Sequence, residues 1–275
     1  MSDILAPSIP PPRASPPPCA LCQNVRELKK SHIVPNAYFR SMKNVEGKLV
    51  SFQLEPDARV RLTQDSWYER LLCETCEGRF SALETRWIAR MRSVNQAITE
   101  GAPVVELPDF DYDSFRTFLL SILWRSSVST LDPFESVKLS TTDNEALRLA
   151  LLAGSTRAVG KWHILLRAIV DTQRVLQFEQ FLLKPTGTAA GSTIRFRYIF
   201  GGFVVDFFNE KMTTPDSLVR DEATFKVFPI AMTDVDEIMY AGVWAIDKDR
   251  RGLTDARIKR TASPLSDTSH PPADA

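Results

Sequence analysis

The feature that most constrains this chain is a pair of Cys-x-x-Cys motifs. Cys19 and Cys22 form the first motif, Cys73 and Cys76 form the second, and residues 23–72 separate them. At this spacing a tight turn directs both sulfurs of a pair towards one tetrahedral metal ion. Joining the two pairs through a metal closes a long loop, so that the energy of metal binding stabilises the fold. The sequence therefore predicts one structural zinc ion held by all four cysteines.

Two other interpretations of the cysteines remain open at this point. They could be two unrelated pairs of buried, reduced thiols, or the Cys-x-x-Cys motifs could serve a redox function. A thioredoxin-like redox motif follows a strand in a βαβ pattern, and that pattern does not precede either motif here. One zinc ion bound by all four thiols would exclude the redox interpretation.

The composition narrows the class of protein and the compartment. The chain has 275 residues, enough to bury a core without disulfide bonds. The first eighteen residues have no apolar run of the length that a signal peptide needs, and no eighteen-residue apolar stretch occurs elsewhere. We therefore expect a cytoplasmic protein with no membrane partner. Lys and Arg together number 34, as do Asp and Glu, which argues against a protein whose whole surface binds nucleic acid.

The pattern along the chain predicts an α+β protein in four segments. Residues 1–17 are a disordered, proline-rich arm, and residues 250–275 are a disordered, polar tail. Residues 18–100 form a zinc finger domain. Residues 101–249 form an α+β domain of unknown role with an antiparallel sheet, which could bind a protein partner. The basic cluster from Lys248 to Arg260 is expected to be a solvated tail, with nucleic-acid contact as the alternative.

Hydrophobic periodicity predicts three helices. Residues 78–99 carry apolar side chains at the three- and four-residue spacing of one helical face. Residues 112–127 form a second helix, with Asp111 or Asp113 as N-cap. Residues 143–152 form a third, with Asp143 or Asn144 as cap and Gly154 as the stop.

The strands are predicted from alternation and turn signals. Residues 103–107 begin a short strand, and residues 225–230 form another. Residues 193–208 alternate apolar and other side chains around Gly201-Gly202, which predicts a hairpin. Residues 162–183 are apolar on too many faces for the period to separate a long helix from two strands, and we favour strands.

The second cysteine pair leads directly into the first predicted helix, since Glu77, Gly78 and Arg79 alone separate Cys76 from its first apolar residue. A cysteine turn, a hairpin and a second cysteine turn that becomes a helix describe a treble-clef ββα-metal finger. Ile33 and Val34 are predicted to continue a strand that stops at Pro35. This would place His32 on the hairpin, facing the helix.

The residues around these motifs resemble the zinc-stabilised branch of the HNH, or His-Me finger, endonucleases. The resemblance covers about residues 19–90 and rests on the first Cys-x-x-Cys, on residues 31–35 (Ser-His-Ile-Val-Pro) and on residues 72–77 (Leu-Cys-x-x-Cys-Glu). It implies that His32 is the general base that activates water and that Glu77 helps to hold a catalytic Mg²⁺ or Mn²⁺ ion. The implied function is a metal-dependent endonuclease that hydrolyses phosphodiester bonds in DNA.

Three positions depart from the pattern of that family. Ser31 stands where the family commonly has an Asp or His metal ligand, and a hydroxyl is a much weaker ligand for a hard cation than a carboxylate. Glu77 stands where the family commonly has Asn or His. The central Asn of the family has no clear match, with Gln64 and Asp65 the nearest candidates. The alternative function is therefore a non-catalytic zinc finger that binds a protein or nucleic acid and keeps a decayed nuclease site.

Several residues have a structural interpretation beside the functional one. His32 could pack against the zinc turn, and an acid at the Glu77 position is favoured at any helix N-terminus. Glu84 is expected to form a salt bridge with Arg40, Arg59 or Arg61. His163 is expected to be a buried core histidine. Trp124 and Arg125 could stack on a base but are expected to belong to a core row of the second helix.

Two further observations bear on partners. Between residues 27 and 92 there are twelve basic and nine acidic residues, and a zinc ion with four thiolates would bring this segment close to neutrality. Residues 118–127 and 197–203 resemble segments that follow such fingers in uncharacterised bacterial proteins, and that likeness implies no activity.

Overall fold

The computed structural model describes residues 17–42, 49–51, 61–63, 66–108, 110–160, 162–170, 182–209 and 224–231. The predicted N-terminal arm up to residue 16 and the predicted C-terminal tail, with its basic cluster and His270, lie outside these residues. So do Gln64 and Asp65.

The N-terminal half is built from a hairpin and a long helix. Strand β1 pairs antiparallel with β4, with His32 opposite Tyr68 and a bulge between Lys29 and Lys30. Strands β2 and β3 form a separate antiparallel pair. The elements in chain order are β1 (Leu28–His32), α1 (Asn36–Met42), β2 (Leu49–Ser51), β3 (Arg61–Thr63), β4 (Tyr68–Cys73) and α2 (Glu74–Thr99).

The C-terminal half is a six-stranded sheet with two helices. The sheet order is β5-β10-β6-β9-β8-β7. Every neighbouring pair is antiparallel except β10 and β6, which are parallel. The elements are β5 (Val105–Pro108), α3 (Tyr112–Val128), a 3-10 helix (Asp132–Phe134), α4 (Thr141–Ala153), β6 (His163–Val170), β7 (Leu182–Ala190), β8 (Thr193–Phe200), β9 (Phe203–Phe208) and β10 (Thr224–Ala231). The prediction of mixed helices and strands with an antiparallel sheet is confirmed.

The helix boundaries follow from their caps. Helix α2 begins at Glu74, four residues before the predicted start, because the extended Cys73 is its N-cap and two acidic side chains favour its first turn. Asp111 caps α3 as predicted, accepting a hydrogen bond from the Ser114 amide. The predicted cap of α4 was wrong: the residue is Ser140, which accepts from the Asp143 amide.

The predicted hairpin of β8 and β9 is confirmed, and the predicted strand at Ile33 and Val34 is not. Gly201 and Gly202 form the turn between β8 and β9, both with positive φ. At Gly201 a Cβ atom would lie 2.2 Å from the Tyr38 ring, so glycine is required there for packing as well. The prediction that Ile33 and Val34 extend a strand was wrong, since β1 ends at His32 and both side chains instead enter the core before α1 begins.

One hydrophobic core runs across both halves of the described chain. Trp87 on α2 packs on Phe115 of α3 with ring centroids 5.0 Å apart. Tyr38 of α1 contacts Phe200 of β8 at 4.9 Å. Trp124 is fully buried, which agrees with the predicted core row. Within the described ranges, the helices are too short or too polar to cross a membrane.

Candidate metal centre and the adjoining hairpin

The four cysteines meet at one end of the hairpin. Cys19 and Cys22 lie in the loop before β1, Cys73 ends β4, and Cys76 lies in the first turn of α2. All four Sγ atoms are within 4.8 Å of one another, and those of Cys22 and Cys73 are 3.8 Å apart. A tetrahedral zinc ion with bonds of about 2.3 Å would place its sulfurs about 3.8 Å apart. The predicted convergence is confirmed, and the cluster could hold a metal ion such as zinc.

The backbone around the first pair is shaped for this convergence. The Gln23 amide donates to the Cys19 carbonyl at 2.8 Å, and Gln23 adopts a left-handed φ of 61°. The Ala20 amide donates to the Leu71 carbonyl of β4 at 3.0 Å, which ties the turn to the hairpin. The Cys73 amide donates to Cys19 Sγ at 3.3 Å, and a donor at this position favours the thiolate.

The thiols differ in their readiness to lose a proton. Burial raises the pKa of Cys19 and of Cys76. Burial also acts to raise the pKa of Cys22, but hydrogen bonds from the Asn24 amide and from the neighbouring thiols outweigh it and lower that pKa to about 7. Since metals bind thiolates, the lowered pKa of Cys22 favours metal binding by this thiol.

His32 lies on the outer face of the hairpin. Its Nε2 is 3.0 Å from Ser66 Oγ, and its ring meets the Tyr68 ring edge-on with centroids 6.0 Å apart. The predicted position on a hairpin is confirmed, but the prediction that His32 faces the helix was wrong. Because strand side chains alternate between faces, the neighbouring Ser31 points to the inner face and hydrogen bonds with Glu77 of α2. The strand side chain that faces the helix is therefore Ser31.

Glu77 is a half-buried acid in the first turn of α2. Its Oε2 atom is buried and has no hydrogen-bond partner among the described residues. Burial raises the pKa of Glu77, and this effect is opposed by the hydrogen bond from Ser31 and by the positive charge of Arg125. The negative charge of Glu84, which lies further along α2, also raises the pKa of Glu77.

Arg125 of α3 lies at the centre of this region, and sequence reasoning did not identify its role. Its side chain is 1% exposed. Its Nη1 donates to the His32 carbonyl oxygen at 2.6 Å, and its Nη2 donates to Glu84 Oε1 at 2.7 Å. The prediction that Glu84 forms a salt bridge is confirmed, with Arg125 as the partner in place of Arg40; Arg59 lies outside the described residues. The available signal was an arginine directly after the largely apolar run of residues 118–124 in this helix.

The other candidates lie elsewhere. His163 is the first residue of β6 and is half-buried, so it lies at the margin of the core. Within the described part of the chain, the four cysteines are the one group of three or more Cys, His, Asp or Glu residues that could hold a metal ion.

Comparison with known proteins identified no significant relative. No protein-family model matches the chain, and neither curated proteins nor solved structures include a significant match. The function is therefore argued from the residues of the site.

Proposed function

We propose that the N-terminal half is a zinc-stabilised treble-clef module, similar to the HNH fingers, that binds DNA without cleaving it. The four-cysteine cluster, the β1-β4 hairpin and helix α2 occur in the order that this module requires. One structural zinc per chain would account for the convergence of four thiols from three segments. The observation that carries the non-catalytic assignment is the position of Arg125.

The guanidinium of Arg125 supplies a fixed positive charge between the hairpin and α2. The HNH resemblance would have Glu77 help to hold a divalent cation, and the charge of Arg125 already acts on Glu77, where it opposes the rise in pKa that burial of that carboxyl causes. Here Arg125 already uses the His32 carbonyl and the Glu84 carboxylate. A divalent cation brought next to a buried guanidinium would be strongly repelled, since the charges interact in a medium less polar than water. The positive charge of Arg125 is thus neutralised within the protein by the carboxylate of Glu84.

Ser31 supports the same proposal. Its hydroxyl is fully buried, accepts a hydrogen bond from the Leu72 amide at 3.2 Å and pairs with Glu77. A hydroxyl engaged in this way contributes packing and hydrogen bonding. It does not supply the anionic ligand that Mg²⁺ or Mn²⁺ prefers.

The outer face of the hairpin is the proposed DNA contact. Lys30 lies opposite Arg70 and His32 lies opposite Tyr68, so all four side chains share one face. Lys30 and Arg70 are exposed, and the Lys30 ammonium lies 4.8 Å from the centre of the Tyr68 ring. Cationic side chains on an exposed ribbon are suited to phosphate contacts, and such contacts make affinity depend on salt.

Fluorescence anisotropy with a labelled DNA duplex tests this contact. Lys30→Gln should weaken binding and reduce the slope of log K against log [salt] by about one. Arg157→Gln is the matched control, because Arg157 is an exposed arginine in the turn after α4, on another part of the surface. Equal affinities and slopes for both variants would contradict a DNA contact on the hairpin.

Endonuclease activity with Mg²⁺ or Mn²⁺ is the second candidate function. The buried, unpaired Oε2 of Glu77 favours it, because such an oxygen is a ready ligand for a hard cation. His32, hydrogen bonded to Ser66, would then be the general base.

A plasmid-nicking assay with Mg²⁺ or Mn²⁺ separates the two functions. The proposed module should bind DNA and leave it intact, with one zinc per chain by elemental analysis. Cutting by the wild type that disappears in His32→Ala, at unchanged zinc content, would overturn the non-catalytic proposal and establish the endonuclease.

A further inference from the structure

A second charged cluster lies in the six-stranded sheet, away from the cysteines and the hairpin. Three arginines from two strands, Arg167 on β6 and Arg195 and Arg197 on β8, surround the carboxylate of Asp206 on the strand between them. Asp206 is 1% exposed. Arg197 balances the charge of Asp206, and Arg167 and Arg195 add two positive charges beside this pair.

The three arginines do not have equal roles. Arg197 binds Asp206 through two hydrogen bonds, from Nε at 2.7 Å and from Nη2 at 3.0 Å. This bidentate pair accounts for the buried charge of Asp206. Arg167 adds one weaker contact at 3.3 Å, and Arg195 stays at 3.9 Å. Asp206 is thus already satisfied by Arg197, and the other two guanidinium groups are held near it with donors to spare.

Those spare donors point to a ligand. The Nε atom of Arg167 is buried and has no hydrogen-bond partner among the described residues, which is costly for a cationic group unless an acceptor occupies the position. The side chains of Arg167 and Arg195 are 27% and 34% exposed, so an incoming ion can reach them. The strand register places these charged side chains on one face of the sheet. Arg197 is directly opposite Asp206, and Arg195 lies two residues from Arg197 along β8, so it shares that face.

We propose that Arg167 and Arg195 form a binding site for a phosphate dianion, with the Arg197–Asp206 pair as the positioning element beside them. Their two positive charges match the charge of a phosphate monoester, and arginine presents paired N–H donors to its oxygens. This site lies on strands that do not belong to the proposed DNA-binding hairpin.

Isothermal titration calorimetry with inorganic phosphate tests the site, with chloride at equal ionic strength as the reference. Wild-type protein should show saturable, phosphate-specific binding. Arg195→Gln and Arg167→Gln should each weaken it about tenfold, equivalent to about 1.4 kcal/mol, while the Arg197–Asp206 pair that supports the fold stays in place. Arg157→Gln, the exposed arginine on another surface, should bind phosphate like the wild type. Equal affinity in all four proteins, or no phosphate-specific signal in the wild type, would overturn the proposal.

Competition experiments separate the sources of the phosphate. Adenosine monophosphate that displaces inorganic phosphate, where adenosine does not, would support a phosphate monoester as ligand. Duplex DNA that displaces phosphate from wild type and Lys30→Gln equally would support the same site with a nucleic-acid phosphate as ligand. Binding of DNA that is insensitive to Arg195→Gln, with no binding of the small phosphates, would overturn the sheet site and leave the hairpin proposal untouched.

Discussion

The four-cysteine cluster and the Arg125 network are two charge centres at the two sides of one hairpin, and they are built in opposite ways. The first brings together four cysteine thiols that could hold a metal ion, from motifs with a fixed spacing. The second places a covalently fixed cation between a carboxylate and a carbonyl oxygen, from residues as far apart as His32 and Arg125. The difference shows that a cluster able to hold a metal ion and a charge site that needs no metal can lie on the same hairpin.

Removing a metal ligand should have the largest effect. Cys73→Ser should lose zinc and unfold the hairpin and the start of α2, because structural zinc contributes about 10–16 kcal/mol in finger peptides, as much as the whole stability of a typical domain. Zinc content by mass spectrometry and far-UV circular dichroism measure both. Chelation with 1,10-phenanthroline should reproduce the loss in the wild type.

Cys22→His is the control for that experiment, since imidazole is also a good zinc ligand. It should keep one zinc per chain with a smaller loss of thermal stability. If Cys73→Ser retained the wild-type melting temperature and circular dichroism spectrum, the cysteines would be ordinary buried thiols, which is the first of the two alternative interpretations.

Arg125→Met should have the next largest effect. It removes the guanidinium and leaves Glu84, 18% exposed, and the His32 carbonyl without their charged donor. Breaking such a pair costs about 3–5 kcal/mol when both charges are buried, and the partial exposure of Glu84 places the expected loss near the lower end. Urea denaturation gives the change in the free energy of unfolding.

The double variant Arg125→Met with Glu84→Gln sharpens this result, because it removes the unpaired charge as well. It should recover part of the lost stability. A cost below about 1 kcal/mol for Arg125→Met alone would show that Arg125 is not a buried charge centre comparable with the cysteines.

The two centres also differ in how well the sequence predicted them. The cysteine spacing predicted the four-cysteine cluster because four residues determine both the ligand type and the local turn geometry. Helices α2, α3 and α4 were predicted from their periodicity, and the β8–β9 hairpin from Gly201-Gly202. Burial on one face and turn chemistry are local properties, so they are visible before the fold is known.

The network around Arg125 was not predictable in the same way. An arginine among apolar residues of a helix needs partners for its charge and its N–H groups. No local rule selects Glu84 over other acids as that partner. The partner depends on how α2 and α3 pack, which is a tertiary property. The same reason explains why His32 was placed on the hairpin and yet its neighbour Ser31 is the residue that contacts Glu77.

Arg116 on the same helix offers an intermediate case. Its guanidinium is buried and donates to the carbonyl oxygens of Thr156, Val159 and Trp162, the last at 2.9 Å. Arg116→Met should cost about 2–3 kcal/mol, because three carbonyl oxygens lose their charged donor. Urea denaturation of both variants would show whether Arg116→Met or Arg125→Met loses more free energy of unfolding. A loss for Arg116→Met larger than that for Arg125→Met would show that carbonyl hydrogen bonds outweigh the ion pair.

The smallest effect is expected from the exposed pair of Arg86 and Asp111. Its Nη1–Oδ2 distance is 3.1 Å, close to that of the Arg125–Glu84 pair, but its side chains are 53% and 44% exposed. Solvent screening should reduce the cost of Arg86→Met to about 1 kcal/mol or less, part of it from contact with the Trp87 ring. If this exposed pair proved as costly as Arg125 in the same denaturation series, burial could not explain the difference between them. The contrast between an internally neutralised charge centre and an ordinary surface ion pair would then fail.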